Sequence, residues 1–183
     1  MKKQLFAAVA AITGLTLAVA PTVDARPGKP GPANIVETAL AANADLGVFD
    51  TVLAAATCEY FDGAIVAALT SSDKVTLFAP TDDAFAKLGL NEGNVCDAFA
   101  GAPDALADIL TYHVTDGRRF SNSVFNKNNS KSISMLNGGT VVSNPDLTLT
   151  AEANDEIAIV APFFDINASN GVIHVIDTVL LPD

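Results

Sequence analysis

The side chains whose type and spacing could support chemistry are few. Asp82 and Asp83 are adjacent carboxylates, as general acid–base catalysis would want. They follow Thr81, however, a residue suited to capping a helix, and two carboxylates in a first helical turn are favoured by the backbone dipole alone. Tyr112 and His113 form a second candidate pair. His113 completes an i, i+3, i+4, i+7 series with Leu106, Ile109 and Leu110, which puts it on the apolar stripe of a helix and predicts a packed, hydrogen-bonded imidazole. Tyr112 lies off the centre of that stripe, so partial exposure stays open, with packing favoured. His174 shares a strand face with Val172 and Ile176, where an imidazole serves as a core residue with its polar atoms satisfied. Two histidines with no cysteine beside them cannot build a zinc site of the usual kind. The acidic run of Glu152, Asp155 and Glu156 lacks the spacing of an EF-hand loop. There is no Gly-x-Ser-x-Gly elbow, no catalytic cysteine signature and no glycine-rich phosphate loop ahead of a helix. The expectation is no catalytic residue, no metal and no cofactor.

Charge and composition narrow the remaining classes. Apolar residues make up 50% of the 183, enough for a core, so global disorder is excluded. That length favours one domain. The first 25 residues have the three parts of an export signal: Lys2 and Lys3, an apolar run from Leu5 to Ala20, and Val23-Asp24-Ala25 as the cleavage site. The run is too short to be favoured as a membrane span, and none follows later. Cleavage after Ala25 would remove Lys2, Lys3 and Asp24 and take the formal charge from −11 to −12. Such a chain repels phosphate backbones and anionic head groups, which argues against nucleic-acid and lipid-surface partners. Export also makes a disulfide between Cys58 and Cys96 permissible, the alternative being two buried thiols. Closing that loop would contribute about 4 kcal/mol on the chain-entropy account. The tripeptides Asn128-Asn129-Ser130 and Asn167-Ala168-Ser169 fit the glycosylation sequon and matter only in a host that glycosylates.

The elements that must position these residues can be read from periodicity. Residues 26–33 are a stiff Pro/Gly-rich leader outside the core. The domain, residues 34–183, opens with Asn34 and Glu37 at capping-box spacing and an apolar stripe of Ile35, Val36, Ala39 and Leu40. Further helices are expected over 48–56, 59–69, 82–88 and 103–113, the last with Pro103 at its tolerated first position. Val75 to Ala79 is apolar on both faces, which predicts a doubly buried strand ended by Pro80. Strands are expected over 133–136 and 140–143, flanking the turn Asn137-Gly138-Gly139, and over 147–151, 157–166 and 172–181. Phe120 to Lys131 is expected to be an exposed polar loop. Helices first and strands later indicate an α+β domain.

Two segments carry a more specific signal. Thr76-Leu77-Phe78-Ala79-Pro80-Thr81-Asp82-Asp83-Ala84-Phe85 and Asn170-Gly171-Val172-Ile173-His174-Val175-Ile176-Asp177-Thr178-Val179-Leu180-Leu181-Pro182 resemble the two signature segments of fasciclin-like domains. Between them, Ile109-Leu110-Thr111-Tyr112-His113-Val114 resembles that family's Tyr-His segment. The resemblance spans residues 34–182 and implies a compact α/β wedge in which the signature strands lie close together. Within these segments Phe78, Pro80, Thr81, Asp82, Phe85, Gly171, His174 and Asp177 are expected to be structural. Phe85 would fold back over the strand–helix junction, and Gly171 would permit the turn into the last strand. With the lysine-led export signal, which suggests a bacterial secreted or periplasmic protein, the resemblance further implies a non-enzymatic interaction module adhering to a protein or a surface polymer, with Tyr112 and His113 as candidate binding residues. The alternative it implies is a carrier of a small apolar ligand such as a carotenoid or a lipid, which would need a long apolar groove.

Overall fold

A computed structural model describes residues 31–71 and 73–183. Residues 1–25, expected to be an export signal, and most of the expected leader lie outside the described residues. The end of the leader is not detached from the domain: Gly31 is buried against Asn167 and Ala168, and the Ala33 carbonyl accepts the Ser169 amide at 2.7 Å.

The chain opens with three helices, α1 (Ile35–Leu46), α2 (Asp50–Ala56) and α3 (Ala64–Thr70). Asn34 and Glu37 close a reciprocal capping box on α1, and Gly47 ends it in the left-handed conformation that a Cβ would disfavour. The helix expected over 59–69 is broken in two. A 3-10 turn at Glu59–Phe61 precedes Asp62 and Gly63, both at positive φ, and only then does α3 begin. Cys58, just before this break, is disulfide-bonded to Cys96 in α5 (Val95–Phe99), a helix that sequence periodicity missed.

Two four-stranded sheets follow. The first has the order β2-β1-β8-β7, from β1 (Val75–Pro80), β2 (Val114–Asp116), β7 (Ile166–Asn167) and β8 (Gly171–Ile176). Its centre is the parallel pair β1 and β8, the two signature strands, in a register running from Val75 opposite Gly171 to Pro80 opposite Ile176. All twelve residues of the pair are buried, as strands apolar on both faces require. The second sheet is an antiparallel meander of β3 (Lys131–Ser134), β4 (Thr140–Ser143), β5 (Thr148–Thr150) and β6 (Ile157–Ala158).

The first sheet therefore lies between two cores. Val75, Leu77, Ala79, Ile173 and Val175 face the helices with Ile35, Ala39 and Phe49. Phe78 and Ile176 face the meander with Tyr112, Ile133, Val141 and Leu149. Helices α4 (Asp82–Ala86) and α6 (Pro103–Tyr112) connect the layers.

Several boundaries differ from the sequence reading. The strand expected over 157–166 is interrupted by a turn containing Pro162, which has no amide to donate, and by Asp165 at positive φ. The last strand stops at Ile176 rather than Leu181. The 120–131 segment is not wholly exposed: it contains α7 (Ser121–Val124), and Val124 and Phe125 reach the core between the sheets. Gly171 is needed for space rather than for a turn. Its φ is unexceptional, but a Cβ there would stand 2.4 Å from both Ile35 Cδ1 and the Val75 carbonyl oxygen.

Candidate functional site

Tyr112 and His113 end α6 and are both inside the protein. Tyr112 is fully buried; its hydroxyl donates to the Thr140 carbonyl at 2.8 Å and accepts the Glu152 amide at 3.0 Å. The phenol thus ties α6 to two places in the meander. A side chain at Gly139 would stand 2.8 Å from its ring. Burial pushes the Tyr112 hydroxyl's pKa up, keeping it protonated. His113 Nδ1 donates to the Ile109 carbonyl at 2.7 Å, while Nε2 accepts the Leu180 amide at 2.9 Å. One nitrogen must be protonated and the other not, so the ring is neutral, and burial lowers its pKa to about 4. Neither residue presents a polar atom to a partner.

His174 is also buried, stacked on Phe78 directly across the β1–β8 pair, with ring centroids 5.6 Å apart. Its Nε2 donates to the Arg119 carbonyl at 2.8 Å and its Nδ1 accepts the Asp165 amide at 3.3 Å. This is the opposite tautomer to that of His113. Burial lowers its pKa as well. Ser121, Asp165 and His174 thus converge, but not as a proton relay. The Ser121 hydroxyl donates to Asp165 Oδ2 at 2.6 Å, and Asp165 Oδ1 accepts the Ser121 amide, so the carboxylate caps α7 from a distance. The histidine's acidic N–H points the other way, at Arg119.

The remaining motif residues hold elements in place. Thr81 caps α4 through the Ala84 amide at 3.3 Å, and Phe85 is buried with Ala84 and Val179. Asp82 reaches across to the start of α2, where its carboxylate accepts the Thr51 amide at 2.7 Å and the Asp50 amide at 3.3 Å. Since the residue preceding α2 is Phe49, which cannot cap, Asp82 satisfies amides that would otherwise be orphaned. Asp177 accepts the Ala158 amide at 2.9 Å and pairs with Lys87 at 3.8 Å. Pro80 is the last residue of β1.

Sequence reasoning passed over Asn170 as a functional side chain. Its Oδ1 accepts the Ile35 amide at 2.8 Å, and its Nδ2 donates to the carbonyls of Leu69 at 2.7 Å and Ser71 at 3.1 Å. One amide therefore joins the start of α1, the end of α3 and the start of β8. The Asn-Gly pair ahead of an apolar run was its only visible signal. Of the two sequon asparagines, Asn167 is buried with its Oδ1 accepting from Arg118, while Asn128 is exposed. Glu152 accepts the Thr140 amide at 3.0 Å, and among the described residues no group of His, Cys, Asp and Glu could hold a metal ion.

The feature with room for a ligand is elsewhere. Between α1, α2, α3 and the helix-facing side of β1 lies a cavity of about 460 Å³. Val36, Val52, Leu53, Ile65, Val66 and Leu69 turn their apolar stripes towards it, and all six stay only half-buried because the helices do not close on one another. Leu40 and Leu136 bring it to the surface, at 51% and 44% exposure. Its size falls within the range of small-molecule pockets, roughly 300–1,000 Å³.

The two signature strands thus lie side by side as a parallel pair in an α+β domain, with both motif histidines buried. The chain belongs to the fasciclin domain family, which it matches over residues 54–182. Two Synechocystis sp. proteins are similar to it. Protein sll1735 is 35% identical over 148 residues, covering 81% of this chain and 97% of that one. Protein sll1483 is 35% identical over 125 residues, covering 64% of this chain, which spans only 61% of the relative's length. The pig transforming growth factor-beta-induced protein ig-h3 is 36% identical over 107 residues, or 58% of this chain and 14% of the relative. Among the described residues no helix is long and apolar enough to cross a membrane.

Proposed function

We propose that this fasciclin domain is a non-enzymatic module acting outside the cytoplasm, and that it binds a small apolar molecule in the cavity beneath α1, α2 and α3. The observation that carries this reading is the cavity itself. Half-buried apolar stripes on three successive helices forgo burial worth roughly 25 cal/mol per Å². An occupant would recover it. The export pattern in residues 1–25 and the Cys58–Cys96 disulfide support an oxidising compartment. Purification from the native source, solvent extraction and mass spectrometry test the proposal. A stoichiometric apolar molecule is expected, and it should be several-fold depleted from a Val66→Phe variant, in which the added ring fills the space before loading. Protein that is empty as isolated and takes up no apolar probe would sink the reading.

Family membership supports an adhesion-type module, with another protein or a surface polymer as partner. Tyr112 and His113 are buried with their polar atoms bonded inside the protein, so such a partner would have to meet other residues. A ligand cavity and an adhesive surface are compatible on one domain. Adhesion that survives Val66→Phe would place the two functions on separate surfaces.

A further inference from the structure

On the reading that the cavity holds a small molecule, we infer that it selects uncharged apolar molecules over ionised amphiphiles such as fatty acids. The reason lies in what the walls lack. Among the described residues, His113 is the one ionisable side chain that lines the cavity. The lysines and arginines of the described chain are Lys74, Lys87, Arg118, Arg119, Lys127 and Lys131, and none of them lines it. Lys87 is engaged with Asp177 and Thr178, and Arg118 reaches the Ser169 carbonyl and the Asn167 side chain.

The polar groups that do line the cavity have no hydrogen to offer. The Thr57 hydroxyl donates to the Leu53 carbonyl of its own helix at 2.8 Å, and the Thr111 hydroxyl to the Ala107 carbonyl, also at 2.8 Å. Both nitrogens of His113 are occupied by Ile109 and Leu180, and burial keeps the ring neutral. Among the described residues no buried side-chain nitrogen or oxygen is without a partner. A carboxylate drawn inside would therefore lose its hydration without gaining a cation or a donor, a cost far above that of an alcohol. A carboxylate left at the mouth, beside Leu40 and Leu136, would meet no cation among the described lining residues and would face a chain of net acidic charge.

Competition at neutral pH tests this. The protein, stripped of lipid by solvent, is loaded with the uncharged fluorophore N-phenyl-1-naphthylamine, which is then displaced with dodecan-1-ol or dodecanoate below their aggregation thresholds. Dodecanol is expected to compete at least about tenfold better than dodecanoate, a difference of about 1.4 kcal/mol. In Leu40→Lys, which puts a cation at the mouth, that ratio should shrink by several-fold. Equal competition in the unmodified protein, or an unchanged ratio in Leu40→Lys, overturns the selectivity while leaving the carrier reading intact. Failure to take up the fluorophore, with neither compound bound in direct calorimetry, overturns the carrier reading itself.

Discussion

The two faces of the central sheet are built from similar residues and end differently. On the face towards the meander, Phe78, Ile176, Ile133, Val141 and Leu149 pack around a Tyr112 whose hydroxyl is used twice. On the face towards the helices, Val75, Leu77 and Ala79 meet helices that stop short and leave about 460 Å³ between them. The closed face is held by long-range hydrogen bonds into its centre. The open face is held at its ends, by Asn170 at the starts of α1 and β8 and by Asp82 at the start of α2. Elements fixed at their ends keep a space open between them, while elements tied through the middle cannot. Stability should therefore reside in the closed face and binding in the open one.

The largest test of that division is Tyr112→Ala. It removes a large buried ring and orphans the Thr140 carbonyl and the Glu152 amide, so a loss of about 3–5 kcal/mol is expected. Chemical denaturation measures it. A loss under about 1 kcal/mol would mean that the closed face is not the stability centre.

Acid is the next largest perturbation. His113 has a folded pKa of about 4, below its ordinary value of roughly 6.5. Between those values the unfolded chain binds a proton that the folded chain refuses, so stability is full above about 6.5 and falls as pH drops towards 4. The limiting loss is about 3 kcal/mol for this residue. His174, lowered for the same reason, acts in the same direction. Denaturation midpoints from pH 7 to 4 should show the slope, and His113→Gln should flatten it. An unchanged slope in that variant would assign the acid sensitivity to His174.

Much of this was legible in the chain. The Asn34–Glu37 box, the doubly buried β1 and the capping Thr81 rest on spacings of a few residues, which local physics settles. The break at Asp62-Gly63 was written in a turn dipeptide but outweighed by the apolar period around it. Tyr112 was less readable, because its partners lie 28 and 40 residues away and only assembly brings them to the phenol. Asn170 hides for the same reason, with bonds to α1 and α3 across about a hundred residues or more. The cavity had no sequence signal at all. It is a volume left between three helices, and a stripe reads the same whether its partner is a side chain or a gap.

Asn170→Ala bears on the open face. It leaves the Ile35 amide and the Leu69 and Ser71 carbonyls without their partner, so a loss of about 2 kcal/mol is expected. Hydrogen exchange should locate the loosening in α1 and α3, with the meander unaffected. Uniform loosening of both sheets would show that the two faces form one cooperative unit.

The smallest expected change in stability separates the faces most sharply. Val66 sits half-buried on α3, facing the cavity, so Val66→Phe adds apolar volume where no packed neighbour must move. Stability should stay within about 1 kcal/mol, with a gain if the ring packs against the helices. Uptake of an apolar probe should nevertheless fall several-fold, because the added ring occupies the space the ligand needs. A large destabilisation would mean that α3 already packs down in solution and that the space is not standing open. Unchanged uptake would mean that the ligand enters on the other side of the cavity, between α1 and β1, where Ile35 and Ala39 would be the positions to fill next.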